Sequence, residues 1–479
     1  MGRAHPPHDA DDASGHASEP FPRQLTAQLV AGAEAARRLR EALPVWVLAA
    51  GLAALALGLP CERLWGHLHY LPAAFEGRPQ PYALQGLVAR WLASLFGTSG
   101  ERAWYLVSAL AYGAALPALF GLARGVGFDA RAALLAALVV VTAPIAWLGA
   151  TLPGPFGAAL LSSTLLLRAL CERSASSRTA FAARAAALTL WAVALEPSAA
   201  WLAPAALWAV LAHRPPPPKD QAPCRRAASG AWLVAAALGA LVQWALWPGA
   251  GLLQRTLLAG LGGGPGVLFL WALWLPLGLG FAGLGLFELF AGRRSPEESR
   301  PPRWFAAWCL APLPAILAGS PVGRLPGAAL LPAAALGLAD WMAREERPED
   351  EGRALRRAAL VLAAQVALGA LVVAAFVHTD PERGWRELAR RELEPSDVVL
   401  TTSELHLYLL RHRWHVRAEL FPPAFFDARE RRWLEETEPE LRAAAARGRR
   451  VVTDGEREHF PPVVLRFAEE VGARPLGAR

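Results

Sequence analysis

Residues 104–123 read WYLVSALAYGAALPALFGLA and carry no charged side chain. As a helix, a stretch of this length rises about 30 Å, which is the thickness of the hydrocarbon core of a bilayer. Arg124 and Arg131 come next in the chain, and arginine is enriched at the cytoplasmic ends of membrane spans. The stretch therefore predicts a membrane-spanning helix that ends at the cytoplasmic face.

Ten further apolar stretches resemble this one, in a chain that is 54% hydrophobic. The eleven predicted spans are 43–59, 104–123, 132–150, 154–171, 179–195, 198–212, 231–249, 266–291, 304–318, 327–343 and 358–377. Several are short or contain Pro and Gly, which neighbouring helices of a bundle can accommodate. The first has no small-residue cleavage site after it, so it is predicted as an uncleaved anchor. The predicted fold class is mainly α, a polytopic transmembrane helix bundle.

Basic residues alternate between the two sides of these spans. The loops predicted to be cytoplasmic hold Arg124, Arg131, Arg173, Arg178, Arg214, Lys219, Arg225, Arg226, Arg293, Arg294, Arg300, Arg303, Arg344, Arg347, Arg353 and Arg356. The shorter connections on the other side hold Arg255 and Arg324. This bias predicts a multi-pass protein of a bacterial inner membrane, with a cytoplasmic N-terminus and an extracytoplasmic C-terminus. It also accounts for the net charge of +7, so nucleic acid is not indicated as a partner.

Three regions follow from this topology. Residues 1–42 are predicted as a cytoplasmic tail that ends in an amphipathic helix, and residues 43–377 as the transmembrane domain. Within the latter, the outward loop 60–103 contains the stretch 83–96, ALQGLVARWLASLF, whose apolar residues share one helical face. We expect this helix to lie flat in the membrane interface.

Residues 378–479 are charge-rich and are predicted as a soluble extracytoplasmic domain. Strand-like runs at 397–402 and 450–453 alternate with helical stretches, which indicates a small α/β domain. The polar residues of this segment include Glu404, His406, His412, His415, Asp454 and Glu456. They show no spacing typical of a site, so scattered surface positions are the favoured interpretation.

Glu62 is the strongest catalytic candidate, because it stands where the chain leaves the first span on the outer side. An enzyme that acts on a lipid-linked substrate needs a base at this boundary, and Arg63, Arg78 or Arg324 would supply cations that hold phosphate. The competing interpretation is that Glu62 and Arg63 are solvated residues at the end of a span.

Four further residues are candidates for substrate contact: His67, His69, Tyr82 and Glu196. His67 and His69 alternate and could share one face of a strand, but no third ligand stands at a metal-binding spacing, so no metal is predicted. Glu196 precedes Pro197 at a span boundary, where an ionisable residue is either functional or a tolerated interface charge. The chain has four cysteines, and they show no CxxC spacing, so no disulfide framework is indicated.

The order of these features resembles the polytopic GT-C class glycosyltransferases that use polyprenyl-phosphate sugars, with protein O-mannosyltransferases and aminoarabinose transferases as relatives. The resemblance covers about residues 40–420. It rests on Glu62, on the turn Arg78-Pro79-Gln80-Pro81-Tyr82-Ala83-Leu84, on Thr142-Ala143-Pro144-Ile145-Ala146-Trp147, on Arg324-Leu325-Pro326 with Leu330-Leu331-Pro332, and on the tail 395–411.

This resemblance implies a mechanism. Glu62 would deprotonate an acceptor hydroxyl or amine, and the acceptor would attack the anomeric carbon of a polyprenyl-phosphate sugar with inversion. Arg78 or Arg324 would hold the leaving phosphate, and the interfacial helix would gate the lipid groove. The implied partners are membrane lipid, the sugar donor and a glycan, lipid or protein acceptor, and no cofactor is implied.

Three departures from the family pattern keep a second function open. Glu62 stands where the family has Asp, Arg78 where the turn has His, and Leu325 where the late segment has Tyr. Misplacing a catalytic group by about 1 Å can cost ~100-fold in rate. The alternative function is therefore a catalytically degenerate GT-C-like scaffold or assembly protein that binds a partner through its C-terminal domain.

Overall fold

The structure is a computed structural model that describes residues 37, 40–55, 83–98, 100–151, 156–172, 178–212, 279–291, 303–311, 324–343, 351–377, 383–401, 404–421, 433–454 and 460–477. The chain forms two compact units, Met1–Pro44 and Val45–Arg479. In the first unit, Arg37 Nε lies 3.0 Å from Glu41 Oε1, one helical turn away. The rest of the amphipathic helix predicted in 1–42 lies mostly outside the described residues and stays a prediction.

Helices make up most of the second unit. They are α1 (45–55 in this unit), α2 (Ala83–Phe96), α3 (Gly100–Gly125), α4 (Ala130–Thr142), α5 (Pro144–Thr151), α6 (Phe156–Cys171), α7 (Arg178–Leu195), α8 (Ala203–Ala212), α9 (Ala282–Ala291), α10 (Arg303–Leu310), α11 (Arg324–Ala343) and α12 (Glu351–Val377). Wherever a predicted span falls on described residues, the chain there is helical apart from short breaks. The predicted span 231–249 lies outside the described residues.

By length and composition, one helix in the described part of the chain, Arg102–Gly125 with 24 residues, could cross a membrane. The shorter apolar helices, of 10 to 17 residues, are Leu84–Phe96, Ala130–Thr142, Phe156–Cys171, Ala180–Leu195, Ala203–Ala212 and Ala328–Ala343. The bundle is mainly helical, as predicted, and the number of eleven spans stays a prediction.

Glycines let helices of the bundle approach closely. Gly157 of α6 lies against α3, where a Cβ atom on this residue would stand 2.3 Å from the carbonyl oxygen of Ser108. Between α9 and α11, a Cβ atom on Gly285 would stand 1.9 Å from the carbonyl oxygen of Ala334. Small residues at helix crossings are typical of membrane bundles, because they allow backbone-to-backbone contact.

The predicted span 132–150 is two helices, with a break at Ala143 between α4 and α5. Pro144 has no N–H to donate, and its ring disfavours the helical conformation at the residue before it. Ala143 accordingly has extended backbone, with φ −67° and ψ 131°. The break leaves carbonyl groups at the end of α4 that need partners from elsewhere.

Gln365 of α12 supplies one of these partners. Its Nε2 atom donates to the carbonyl oxygen of Val139 at 2.9 Å, and its Oε1 atom accepts from the N–H of Ala282 at 3.2 Å. The side chain is fully buried. Gln365 therefore joins α12 to the end of α4 and to the start of α9.

The chain ends in a four-stranded parallel sheet flanked by helices. Its elements are α13 (Arg383–Glu392), β1 (Val398–Leu400), α14 (Glu404–Tyr408) with a π-helical turn (Leu409–Arg413), β2 (Glu419–Phe421), a second π-helical turn (Trp433–Thr437) with α15 (Glu438–Ala446), β3 (Val451–Thr453), α16 (Pro462–Glu470) and β4 (Arg474–Pro475). The strand order is β2-β1-β3-β4, and all neighbours are parallel. β1 and β3 lie inside the two predicted strand runs.

An ion pair fixes the amino ends of β1 and β3. Asp397, which is 2% exposed, accepts a hydrogen bond from Arg450 Nε at 2.9 Å and a second from Arg450 Nη2. Burial raises the pKa of the Asp397 carboxyl, but the hydrogen bonds from Arg450 and from the N–H of Glu394 outweigh it, so the net change is downward. Asp397 is therefore held in its charged form.

Candidate functional site

Most of the predicted site residues belong to the stretch 56–82, which lies outside the described residues. They are Glu62, Arg63, His67, His69, Arg78 and Tyr82. Their roles stay predictions. Arg324 is the first residue of α11, so its backbone stands at the start of that helix.

Glu196 is a predicted site residue inside the described part of the chain. It stands between α7 and a 3-10 turn, Pro197–Leu202, and is 4% exposed. Its N–H donates to the carbonyl oxygen of Ala192 at 2.9 Å, and its own carbonyl oxygen accepts from Ala199 at 2.8 Å. The burial argues against a solvated charge at the end of a span, and it favours a role in the interior of the bundle.

Helix α2 begins directly after Tyr82 and shares a buried apolar cluster with the C-terminal segment. Ala89 lies on one face of α2 and is fully buried. It belongs to a cluster, which we call the α2 cluster, whose buried apolar members are Ala89, Ala103, Trp104, Ala389, Val399, Tyr408, Leu409, Leu410, Trp414 and Ala418. Two regions that the arginine pattern assigns to the outer side are therefore in contact.

The opposite face of α2 is apolar and exposed. Leu87, Trp91 and Leu95 are 43%, 62% and 59% exposed, and all three belong to the apolar face predicted from the sequence. An exposed apolar helix face with an aromatic residue is typical of contact with a membrane interface. The helix therefore buries one face in the α2 cluster and exposes its apolar face.

Two polar residues of the C-terminal segment meet beside the sheet. Asp454 follows β3 directly, and His406 lies on α14, the helix after β1. His406 Nδ1 lies 2.7 Å from Asp454 Oδ2. The Asp454 side chain is fully buried and the His406 side chain is 18% exposed. This geometry corrects the interpretation of His406 and Asp454 as scattered surface residues.

The strand order explains why the two residues meet. The chain passes from β1 to β2 on one side and later crosses to β3 on the other side of β1. The strand order therefore reverses direction between β1 and β3, which makes this position a topological switch point. In open α/β sheets, ligands bind at such a switch point, outside the carboxyl ends of the strands.

One aromatic ring packs against the imidazole of His406, and a second packs against that ring. The ring centroid of Trp385, on α13, lies 4.4 Å from that of His406. Trp414 packs edge-on against Trp385, with centroids 4.8 Å apart. Trp414 belongs to the α2 cluster and Trp385 packs against it. The His406–Asp454 pair therefore lies beside the contact between α2 and the C-terminal segment.

A histidine held by a buried carboxylate is suited to proton transfer or to an oriented hydrogen bond with a ligand. It is not by itself a metal site, and among the described residues no group of three or more His, Cys, Asp and Glu side chains could hold a metal ion. Sequence reasoning missed the pair, although Asp454 comes directly after the strand-like run 450–453. The two residues are 48 positions apart, so their meeting depends on the strand order.

The chain has a GT-C-like membrane fold. In particular, the chain is similar to the crystal structure of ArnT from Cupriavidus metallidurans bound to undecaprenyl phosphate, with a TM-score of 0.55 and 14% sequence identity. The similarity covers 80% of this chain and 86% of that chain. No protein-family model and no curated protein matches the chain. The likeness defines the fold, which is the fold that the GT-C resemblance implied.

Proposed function

We propose that this protein is a membrane glycosyltransferase that moves a sugar from a polyprenyl-phosphate donor to an acceptor at the outer face of the bacterial inner membrane. One observation carries the proposal: the likeness to ArnT extends over 80% of this chain and 86% of that chain. That ArnT structure holds undecaprenyl phosphate, which is the kind of lipid that remains after a polyprenyl-phosphate donor has given up its sugar.

Glu62 is the proposed base. It takes the proton from an acceptor hydroxyl or amine while the acceptor oxygen or nitrogen forms a bond to the anomeric carbon. The bond between that carbon and the phosphate oxygen breaks on the opposite face, and polyprenyl phosphate leaves. Arg78 or Arg324 holds the phosphate by paired hydrogen bonds, and Arg63 adds positive charge. His67, His69, Tyr82 and Glu196 are the proposed contacts to substrate.

The contact between α2 and the C-terminal segment supports this arrangement. The loop that holds Glu62 and Arg78 leads directly into α2, and Ala89 and Trp104 fix α2 in the α2 cluster. Substrate-positioning groups need a rigid neighbour, because small displacements are costly in rate. A helix seated on a folded segment provides such a neighbour at the end of the loop.

The test is a transfer assay with purified protein and a panel of radiolabelled polyprenyl-phosphate sugars. Removal of a general base costs about 100-fold or more, so we expect that loss for Glu62→Gln and a smaller loss for Glu62→Asp. Glu76→Gln is the matched control, since it removes the next carboxylate of the same loop, and it should retain full activity. Equal activity of Glu62→Gln and the unchanged protein would make the catalytic assignment wrong.

The departures at Glu62, Arg78 and Leu325 favour a second candidate, a degenerate GT-C-like scaffold that binds a partner through its C-terminal domain. The same assay separates the two functions. A protein that binds undecaprenyl phosphate but transfers no sugar from any donor of the panel would support the scaffold. Weaker lipid binding by Arg78→Gln and Arg324→Gln would still identify the phosphate-holding residues.

A further inference from the structure

We propose that Ser163 is a positioning residue of the phosphate site, because its hydroxyl group fixes the first turns of α11 and thereby the place of Arg324. The inference rests on the proposed function, in which Arg324 holds the phosphate of the polyprenyl lipid. Three observations carry it: Pro332 lies inside α11, the hydroxyl group of Ser163 donates to the carbonyl oxygen of Ala328, and α11 begins at Arg324.

Pro332 interrupts the hydrogen-bond ladder of α11. Proline has no N–H, so the carbonyl group four residues earlier loses the partner that it would have in a regular helix. In α11 this carbonyl group belongs to Ala328, a residue that is fully buried. A buried carbonyl group without a partner is costly, so a donor from elsewhere in the bundle stabilises the helix at this point.

Ser163 of α6 is that donor. Its Oγ atom lies 2.7 Å from the carbonyl oxygen of Ala328, and the side chain is buried. The same atom lies 3.2 Å from the carbonyl oxygen of Leu160 in its own helix. A hydroxyl group has one hydrogen to donate, and the shorter contact is the one to Ala328. The hydrogen bond therefore joins α6 to the carbonyl group that Pro332 deprives of its helical partner.

A second hydrogen bond holds the next residue of α11. Trp308 of α10 is fully buried, and its Nε1 atom donates to the carbonyl oxygen of Ala329 at 3.0 Å. Ser163 and Trp308 thus hold two successive carbonyl groups from two different helices. Helices bend at an internal proline, so these two donors set the direction of the turns that precede Pro332.

Arg324 lies on the segment that these bonds fix. It is the first residue of α11, and Ala328 follows it by one helical turn, about 6 Å along the axis. An arginine that holds phosphate by paired hydrogen bonds depends on direction as well as on charge, and a displacement of about 1 Å can cost ~100-fold in rate. Loss of the Ser163 bond therefore reaches the proposed phosphate contact over a single turn of helix.

Ser163→Ala tests the inference, and Ser162→Ala is its matched control. Ser162 is the same residue type, is equally buried and lies on the same helix. Its Oγ atom donates to the carbonyl oxygen of Ala159 at 3.2 Å, within α6. Both variants lose one buried hydroxyl group and its hydrogen bond, but only the Ser163 bond in this pair reaches α11.

Binding of undecaprenyl phosphate and of undecaprenol is measured on the purified full chain in detergent. The two lipids share the polyprenyl chain and differ in the phosphate group. We expect Arg324→Gln to weaken binding of undecaprenyl phosphate about tenfold or more, the effect of one charge-assisted contact, and Ser163→Ala to weaken it about fivefold. Neither variant should alter binding of undecaprenol, and Ser162→Ala should leave both lipids unaffected. In the Arg324→Gln background Ser163→Ala should cause no further loss, because the residue through which it acts is already gone.

Three results would overturn the inference. They are equal binding by Ser163→Ala and Ser162→Ala, an equal loss for both lipids, and an undiminished loss from Ser163→Ala in the Arg324→Gln background. The last two would mean that Ser163 supports the bundle in general and not the phosphate site.

Failure of the proposed function has a different signature. The unchanged protein would then bind undecaprenyl phosphate no better than undecaprenol, and the inference would fail with it. Unchanged binding by Arg324→Gln would likewise remove both the phosphate role of Arg324 and the inference. If Arg324→Gln weakens binding and Ser163→Ala does not, the phosphate site stands and only the positioning role of Ser163 is wrong.

Discussion

Gly285→Ala should destabilise the helix bundle, because α9 and α11 touch through their backbones at this residue. A Cβ atom on Gly285 would stand 1.9 Å from the carbonyl oxygen of Ala334 and 2.4 Å from the backbone nitrogen of Leu338. On the facing helix, a Cβ atom on Gly337 would stand 2.0 Å from the carbonyl oxygen of Gly285. Each helix therefore fills the space in which the other would carry a side chain.

The cost can be worked out from these distances. Carbon and oxygen atoms in favourable contact lie about 3.3 Å apart, so the 1.9 Å approach requires the helices to separate by roughly 1.4 Å. Overpacking of this kind costs about 1–3 kcal/mol. The upper end applies, because backbone atoms cannot rotate away as a side chain can. Alanine recovers about 1 kcal/mol of helix propensity, which leaves a net loss of about 2 kcal/mol.

Gly283→Ala is the matched control on the same helix. A Cβ atom there would have its nearest neighbour, Leu279 Cβ, at 3.9 Å, which is ordinary contact. It should gain up to about 1 kcal/mol from helix propensity. The assay is unfolding of both purified variants by titration with SDS in mixed micelles. Equal stability of the two variants would refute the close crossing of α9 and α11, since it would mean that the space at Gly285 is open.

Two further predictions concern hydrogen bonds that the structure fixes. Asp397→Asn should cost about 2 kcal/mol at neutral pH, because it weakens two charge-assisted bonds from Arg450. Since the folded chain lowers the pKa of Asp397, its stabilisation is present above the unfolded pKa of about 4 and is lost as pH falls through the folded pKa. Thermal unfolding of the unchanged protein and the variant should therefore converge in acid, and a constant difference would contradict the assignment. Gln365→Leu should cost about 1–3 kcal/mol in the SDS titration, because it removes the Gln365 bonds to the N–H of Ala282 and to the buried carbonyl oxygen of Val139, which keeps only the bond of 3.2 Å from Thr142 Oγ1. Val366→Leu, an exposed apolar neighbour, is the control and should be neutral.

The helices could be predicted because their signal is local. An apolar run and the residues that interrupt it are neighbours in the sequence, so both can be recognised without knowing the packing. The stretch 83–96 was accordingly predicted as a helix with the bounds that the structure shows. Pro144 likewise marks the break inside the predicted span 132–150, but the partner of that break does not follow from the sequence. Gln365 reaches it from 226 residues away, and only the packing of three helices brings them together.

The candidate site could be predicted less well, for the same reason. His406 and Asp454 belong to separate strand–helix connections, and their contact requires β3 to lie beside β1 rather than beside β2. A sequence with alternating strands and helices is compatible with several strand orders. Glu62, by contrast, could be proposed from its place in the sequence and from the family resemblance. It lies outside the described residues, so no contact tests its role.

Helix α2 connects the loop of the proposed transferase site with the C-terminal segment. The loop with Glu62 precedes its first turn in the sequence, and the α2 cluster joins the helix to Trp385 and Trp414 of the C-terminal segment. Its apolar face, with Trp91 at 62% exposed, is the side that the sequence assigns to the membrane interface. Movement of α2 along that interface must therefore carry the C-terminal segment with it, or separate Ala89 from the α2 cluster and expose buried apolar surface. The gate at the lipid groove that the GT-C resemblance implies would consequently be a movement of α2 together with the C-terminal segment.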